Sequence, residues 1–257
     1  MPVEVIMNKL DLRGRSALVT GGARGIGAAI CRTLALAGAK VLINYNRSRE
    51  KAVALRDEIC AEGFEAEIFQ ADVAEPAQVE ALFRHARSIF GGLDILVNNA
   101  GIVKDTLLLT MDLPDWEKVH NINLRGAFLT TRMAAELMMQ KRSGKIINIA
   151  SVSGIRGGRG QTNYASAKGG LISFTRACAV ELAPKGILVN AVLPGMIETE
   201  MSSRTRKRAG EIILERIPVQ KFGSPQDVAD LVVFLASDLS NYITGQAIPV
   251  DGGLSIS

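Results

Sequence analysis

SALVTGGARGIGAAICRTLALAG, residues 16–38, is the stretch that decides the fold. It opens on the apolar run 16–20, breaks at a glycine-rich turn, and continues from Gly25 to Gly38 with helical spacing. A strand that feeds a helix through Gly21, Gly25 and Gly27 lets backbone N–H groups approach a phosphate, whose charge the helix N-terminus favours. The spacing is T-G-x-x-x-G-x-G rather than G-x-G-x-x-G. Plain loop chemistry would tolerate the same glycines; their place directly after the first strand favours the phosphate.

Outward from this stretch, short apolar runs alternate with amphipathic ones to the end of the chain. The runs 41–44 (VLIN), 67–71, 93–98 (LDILVN), 145–150 (KIINIA) and 187–192 (ILVNAV) are nearly continuous. That is the pattern of parallel strands covered on both faces. Helical stretches fill 48–62, 76–90, 114–141 and 163–182, and Gly38, Gly63, Gly91, Gly144 and Gly186 stand where helices should stop. The pattern predicts an α/β fold, a single-domain doubly wound (Rossmann-type) parallel sheet with helices on both faces, spanning residues 1–257. Residues 196–222 depart from the rhythm: long, polar, and carrying Arg204, Arg206, Lys207 and Arg208. An insertion of this size after a late strand reads as a small lid, with a solvated helix pair as the plainer alternative.

Composition narrows the function. Of 257 residues, 47% are apolar and 22% charged, which excludes disordered and collagen-like classes. Thirty Lys+Arg against 26 Asp+Glu leave +4, too mild to argue for nucleic acid unless clustered. No apolar run approaches the ~20 residues of a membrane helix, and MPVEVIMNKLDLRGR lacks a signal-peptide core. Cys31, Cys60 and Cys178 are far apart, so neither a disulfide framework nor a CxxC motif exists, and a cytoplasmic protein is expected. His85 and His120 have no ligand spacing around them, so no metal site is expected.

Three further groups carry chemistry. Asn98-Asn99-Ala100-Gly101 ends the fourth apolar run, where strand carboxyl ends form a crevice, although paired asparagines also cap turns. Tyr164 and Lys168 stand four apart on one helix face. A free tyrosine has a pKa of about 10, and a nearby cation favours its phenolate, which would make a proton donor and acceptor near neutrality. Y-x-x-x-K by itself is common on helices. Ser151 ends the preceding strand and can place a hydroxyl beside Tyr164 to polarise a carbonyl oxygen.

Taken together, these residues resemble the short-chain dehydrogenase/reductase family over essentially the whole chain. T-G-x-x-x-G-x-G, N-N-A-G, the serine thirteen positions before the tyrosine, Y-x-x-x-K and Pro194-Gly195 occur in family order. The resemblance implies a catalytic tetrad of Asn123, Ser151, Tyr164 and Lys168. Tyr164 would give its proton to the carbonyl oxygen as the nicotinamide delivers hydride, and Ser151 would hydrogen-bond the same oxygen. Lys168 would bind the nicotinamide ribose and lower the Tyr164 pKa, and Asn123 would hold a water linking Lys168 to solvent. Asn121 competes for that last role, but N-L-x-G falls on Asn123, Leu124 and Gly126.

The same resemblance distributes the cofactor contacts. Gly21, Arg24, Gly25, Ile26 and Gly27 hold the pyrophosphate, Asp72-Val73 the adenine, and Asn99, Ala100 and Gly101 line the crevice; Pro194, Gly195, Ile197 and Thr199 meet the nicotinamide. At the end of the second strand, where members that use NAD carry an acidic residue, this chain has Asn46, Arg47 and Ser48. No carboxylate repels a 2′-phosphate there, and Arg24 and Arg47 suit its oxygens, so NADPH/NADP+ is expected; a solvated helix start explains Arg47 equally. Within the family the chain looks most like the 3-oxoacyl-[acyl-carrier-protein] reductases, through residues 194–201, Ile217-Pro218 and 242–246. Acetoacetyl-CoA reductases and sugar, alcohol or ketone dehydrogenases share much of this, and a non-catalytic cofactor-binding scaffold is the reading from another class. Acyl carrier protein is acidic, so cations are expected at the site mouth, on Arg142, Lys185 and the basic lid. The resemblance also implies a homotetramer built through the helices beginning near 114 and 163 and the last strand, 247–250.

Overall fold

The structure, a computed structural model, describes residues 10–257; the reading of the first nine residues lies outside them. Its strands are β1 (Ser16–Val19), β2 (Lys40–Tyr45), β3 (Ala66–Gln70), β4 (Ile95–Asn98), β5 (Gly144–Ile149), β6 (Ile187–Pro194) and β7 (Ala247–Val250). All pair in parallel in the order β3-β2-β1-β4-β5-β6-β7, with Leu18 opposite both Leu42 and Leu96. The order reverses direction between β1 and β4. At such a switch point the loops leave in opposite directions and open a crevice.

Alternate strand residues face opposite layers. Ala17, Val19, Ile95 and Val97 pack under α1 (Gly25–Leu36), α2 (Arg49–Ala61) and α9 (Pro225–Ala236). Leu18, Leu42, Leu96 and Ile146 pack under α3 (Pro76–Phe90), α5 (Gly126–Lys141) and α7 (Thr162–Leu182). Burial on both faces is why the strand runs read as unbroken apolar stretches. The helix α9 lies outside the helical stretches expected from the pattern, yet its start carries a capping box: Ser224 and Asp227 exchange side-chain and backbone hydrogen bonds ahead of Val228, Val232 and Leu235.

Two expectations change. The stretch 114–141 is not one α-helix: α4 (Leu113–His120) passes into a π-helical turn, Asn121–Arg125, before α5. There the Asn123 amide donates to the Val119 carbonyl at 2.9 Å, so a side chain enters the backbone ladder and widens the turn. Gly144 does not stop α5. Arg142 takes the left-handed position (φ 50°), and Gly144 begins β5 where a Cβ would meet Met138 Cγ at 2.6 Å. That glycine is required by packing, not by a turn.

Residues 196–222 leave the sheet after β6 as a loop, form α8 (Ser203–Glu215) and return. Their base is closed by Gly223, whose N–H donates to Met196 and whose carbonyl accepts from Glu198. No residue of α8 is fully buried. A short helix, α6 (Ser153–Arg156), follows Ser151.

Candidate active site

The glycine turn is held open from three sides. The Thr20 hydroxyl accepts from the backbone N–H groups of Asn99 and Ala100, both at 3.0 Å. The Asn99 amide donates to the Thr20 and Gly21 carbonyls, and Asn44 accepts from Gly21 N–H at 3.2 Å. A Cβ on Gly27 would stand 2.5 Å from Asn99 Nδ2, so only glycine allows this approach. Arg24 caps α1 in extended conformation without a side-chain capping hydrogen bond, and the first turn holds no acidic residue. The N–H groups at this helix start are therefore left for a ligand anion, the chemistry a dinucleotide pyrophosphate requires. These residues fit the group the sequence pointed to.

Beside the turn, β5 ends at Ile149, two residues before Ser151, and α7 brings Tyr164 and Lys168 over that serine. Lys168 is 4% exposed; its ammonium donates to the Ile149 carbonyl at 2.7 Å and lies 5.8 Å from the Tyr164 ring centroid. Burial pushes the Lys168 pKa down to about 8. Burial pushes Tyr164 up to about 12, against the pull of its hydrogen bond with Ser151. The sequence expectation that Lys168 lowers the Tyr164 pKa is not met in this arrangement, because the lysine is turned to the Ile149 carbonyl and desolvation dominates both groups. Tyr164 is consequently a neutral hydroxyl, able to donate. Asn123 is buried, its amide donating to Ile102 and Val119 and its oxygen accepting from Ile102 N–H at 3.3 Å. Gly101 brings these groups together: a Cβ there would stand 2.6 Å from Asn123 Oδ1 and 3.6 Å from Lys168 Nζ.

Around this centre, Asn46 donates to the Asp72 carboxylate at 2.8 Å, joining the ends of β2 and β3. Thr199 stands over Gly25, and Gly195 lies against Asp251. Val73 packs on Gly126. Ile197 is buried, and Arg47 is exposed. A cavity of about 270 Å³ opens at the start of α6, walled by Val152, Met196, Ile213 and Leu254, with Arg156 and Arg216.

Sequence reasoning missed the support under the site. Asn98 donates to Asn148 (2.8 Å) and Thr131 (3.0 Å) and accepts from Thr130 (2.6 Å), and Asn148 donates to Thr175 (2.8 Å). All five are buried, and they tie β4 to β5, α5 and α7. The signal was present as single asparagines inside otherwise apolar runs, LDILVN and KIINIA. Missed also were Lys51 and Glu200, the glutamate pairing with both Lys51 and Arg24 of the glycine turn.

The cationic positions do not gather at one mouth. Arg142, whose guanidinium donates to the Pro184 carbonyl at 3.2 Å, and Lys185 lie at the amino ends of β5 and β6. That is the far end of β5 from Ser151, about 20 Å away at ~3.3 Å per residue. The expectation that both stand at the site mouth fails because the loops before and after a parallel strand occupy opposite edges of the sheet. Arg206 is also inward, paired with Glu198 at 3.3 Å and lying over the Phe222 ring. Arg204, Lys207 and Arg208 are exposed. Among the described residues no group of His, Cys, Asp and Glu could hold a metal, and no helix is long and apolar enough to cross a membrane.

The family model described as enoyl-(acyl carrier protein) reductase matches residues 21–255. A 3-oxoacyl-[acyl-carrier-protein] reductase from Synechocystis sp. is 48% identical over 244 residues, 95% of this chain and 98% of the relative. One of the same name from Aquifex aeolicus is 44% identical, over 96% and 99%. Among solved structures, a gluconate 5-dehydrogenase from Burkholderia cenocepacia in complex with NADP and tartrate superposes with a TM-score of 0.94 at 37% identity, covering 98% of this chain and 99% of that one. The sheet order, the glycine turn, the Ser151–Tyr164–Lys168 cluster and these matches agree on one conclusion: the chain belongs to the short-chain dehydrogenase/reductase family of NAD(P)-dependent oxidoreductases.

Proposed function

We propose that the protein reduces the 3-oxo group of a 3-oxoacyl thioester, carried on acyl carrier protein, to the 3-hydroxyacyl thioester in fatty-acid synthesis, with NADPH as the reductant. The observation that carries this reading is the convergence of Asn123, Ser151, Tyr164 and Lys168 beside the glycine turn, in a chain 44–48% identical over nearly its full length to relatives named for that reaction. A nicotinamide held at Ile197 and Thr199 would supply hydride to the carbonyl carbon. Tyr164, neutral up to about pH 12, donates its proton to the oxygen that gains charge, and the Ser151 hydroxyl hydrogen-bonds the same oxygen. Lys168, with a pKa near 8, would hold the ribose and return a proton to Tyr164, with Asn123 holding a water that links Lys168 to solvent.

Gly21, Gly25, Ile26 and Gly27 would hold the pyrophosphate, with Asn99, Ala100 and Gly101 along the crevice. Asp72 and Val73 would hold the adenine, and Pro194, Gly195, Ile197 and Thr199 the nicotinamide. The absence of a carboxylate among Asn46, Arg47 and Ser48, with Arg24 and Arg47 exposed beside them, supports a 2′-phosphate and so NADPH. In the cavity at the start of α6, Val152, Met196, Ile213 and Leu254 would suit an acyl chain, and Arg156 and Arg216 in the same wall would suit an anionic group. An acidic carrier would meet Arg204, Lys207 and Arg208 on the lid, residues 196–222. Arg142 and Lys185 could serve it only at the mouth of a second copy, so their part in this reading depends on the homotetramer. A cytoplasmic location belongs to the same reading. The second reading, an acetoacetyl-CoA reductase, draws on those same lid cations, which suit CoA phosphates as well.

The test is kcat/KM with acetoacetyl-acyl carrier protein, acetoacetyl-CoA, gluconate-type acids and simple ketones, each with NADPH and NADH. We expect the carrier thioester with NADPH to lead. A higher value for CoA or for a sugar acid would overturn the carrier assignment, and binding of NADPH without turnover on any carbonyl would favour the scaffold reading.

A further inference from the structure

Glu200, in the loop between β6 and α8, joins parts of the molecule that the catalytic residues leave unconnected. Its Oε2 accepts from Arg24 Nη1 at 2.9 Å, and its Oε1 pairs with Lys51 Nζ. Arg24 belongs to the glycine turn, and Lys51 to the first turn of α2, just past the end of β2. The three side chains are half in water, at 54%, 51% and 61% exposure. Arg47, at the same strand end, is exposed and has no ion-pair partner among the described residues. The two cations hold the Glu200 carboxyl below the usual carboxylate range, so it is a full anion at neutral pH. The cationic notch at the carboxyl end of β2 is thus already filled, by a carboxylate from the lid's own loop. From Glu200 the constraint runs directly into α8, because Ser203 donates to the Glu200 carbonyl at 2.8 Å and Ser202 to the Ile197 carbonyl at 2.5 Å.

We propose that Glu200 is a specificity-determining residue for the cofactor: an internal anion that competes with the 2′-phosphate of the dinucleotide for Arg24 and Lys51, and whose displacement frees the first turn of the lid from the glycine turn. The proposal rests on the NADPH reading above and deepens it. A phosphate monoester brings up to two negative charges and three acceptor oxygens, against one charge on the carboxylate. Exposed ion pairs are individually weak, so Glu200 can be exchanged rather than locked in place. A ribose 2′-hydroxyl carries no charge to compete with, and it leaves the latch closed. Lys51 becomes, with Arg24 and Arg47, a third cation available to the phosphate.

Calorimetric titration of the full chain with 2′,5′-ADP and with 5′-AMP isolates the phosphate from the rest of the cofactor. The wild type should prefer 2′,5′-ADP. Glu200→Gln should tighten 2′,5′-ADP roughly three- to tenfold, the range of two exposed pairs released, and leave 5′-AMP within about twofold. Lys51→Met should weaken 2′,5′-ADP by a similar factor. Trypsin, which cuts after Arg204 and Arg208, should act faster on the wild type with 2′,5′-ADP than with 5′-AMP, and at a single rate on Glu200→Gln. A wild type that prefers 2′,5′-ADP, with Glu200→Gln binding it unchanged or more weakly, would overturn the latch while leaving the NADPH reading standing. A wild type that binds the two nucleotides equally would overturn the NADPH reading and the latch with it. Equal trypsin rates in the wild type would overturn the release of the lid.

Discussion

At the floor of the crevice, Asn98, Asn148, Thr130, Thr131 and Thr175 are all at least 96% buried and pass hydrogen bonds from strand to strand to helix. At its rim, Glu200, Arg24 and Lys51 meet with half of each side chain in water. The same residue classes, polar and charged, thus serve opposite ends. Buried polar groups must be fully paired, since an unpaired one costs its whole desolvation energy, and so they fix one geometry. Exposed ion pairs are worth ~0–1 kcal/mol each and can be traded for a ligand's charge. On the proposed reading, the proton donor sits on the rigid end, and the groups that would choose the cofactor sit on the exchangeable end.

Changing Tyr164 should break this comparison most visibly. Tyr164→Phe removes only the transferable proton, so kcat should fall at least ~10²-fold while NADPH affinity holds, measured by steady-state turnover and equilibrium binding. Retention of more than about one-tenth of kcat would mean that the acid is another group.

Next in size is the floor itself. Asn98→Ala leaves Asn148 Oδ1 and Thr131 Oγ1 without their donor, while the Thr130 hydroxyl keeps the Gly126 carbonyl, at a cost of about 2–3 kcal/mol. For a chain of this length that is a fall of ~5–10 °C in Tm by differential scanning calorimetry. An unchanged Tm would show that the network is adjustable and the contrast with the rim overstated.

The matching change at the rim should leave Tm alone. Arg47→Asp with Arg24→Ala removes two cations and adds a repulsive carboxylate, so the NADPH/NADH ratio of kcat/KM should fall roughly tenfold or more, with Tm within about 2 °C of wild type. A ratio that does not move would place the 2′-phosphate elsewhere.

The smallest effect is one of pH. Lys168 and Lys145 are both buried, with pKa values near 8 against about 10.5 for the free side chain. Between those values the unfolded chain binds more protons than the folded one, so stability should rise with pH from about 8 to about 10.5. Lys145 lies at the opposite end of β5 from Ser151, held by Ser240 and Asn241. Lys145→Met should therefore flatten that rise without altering the pH profile of kcat. An equally steep rise in Tm in the variant would assign the slope to other groups.

How much of this was legible beforehand depended on how local each feature is. The parallel sheet could be read because burial on both faces writes unbroken apolar runs, and the glycine turn because a Cβ on Gly27 would stand 2.5 Å from Asn99 Nδ2, so that position admits no side chain. The capping box of α9 is just as local, and was readable though unread. The π-helical turn was not, since nothing in Asn121–Arg125 departs from helical spacing; it follows from one amide reaching the Val119 carbonyl. The positions of Arg142 and Lys185 were misplaced for a topological reason: sequence distance from a strand does not say which edge of the sheet a charge occupies until the strand's direction is set.

By itself, then, the order of residues determined the fold, the glycine turn and which side chains could carry proton chemistry, because each depends on spacing along one or two adjacent elements. Tertiary structure alone decided that Tyr164 is held as a neutral acid and Lys168 pulled down toward pH 8, since both shifts come from desolvation by residues distant in sequence. It decided as well that Glu200 spans 176 positions to reach Arg24, a pairing with no periodicity behind it. Burial and charge pairing are properties of neighbours in space, and only the folded sheet supplies those.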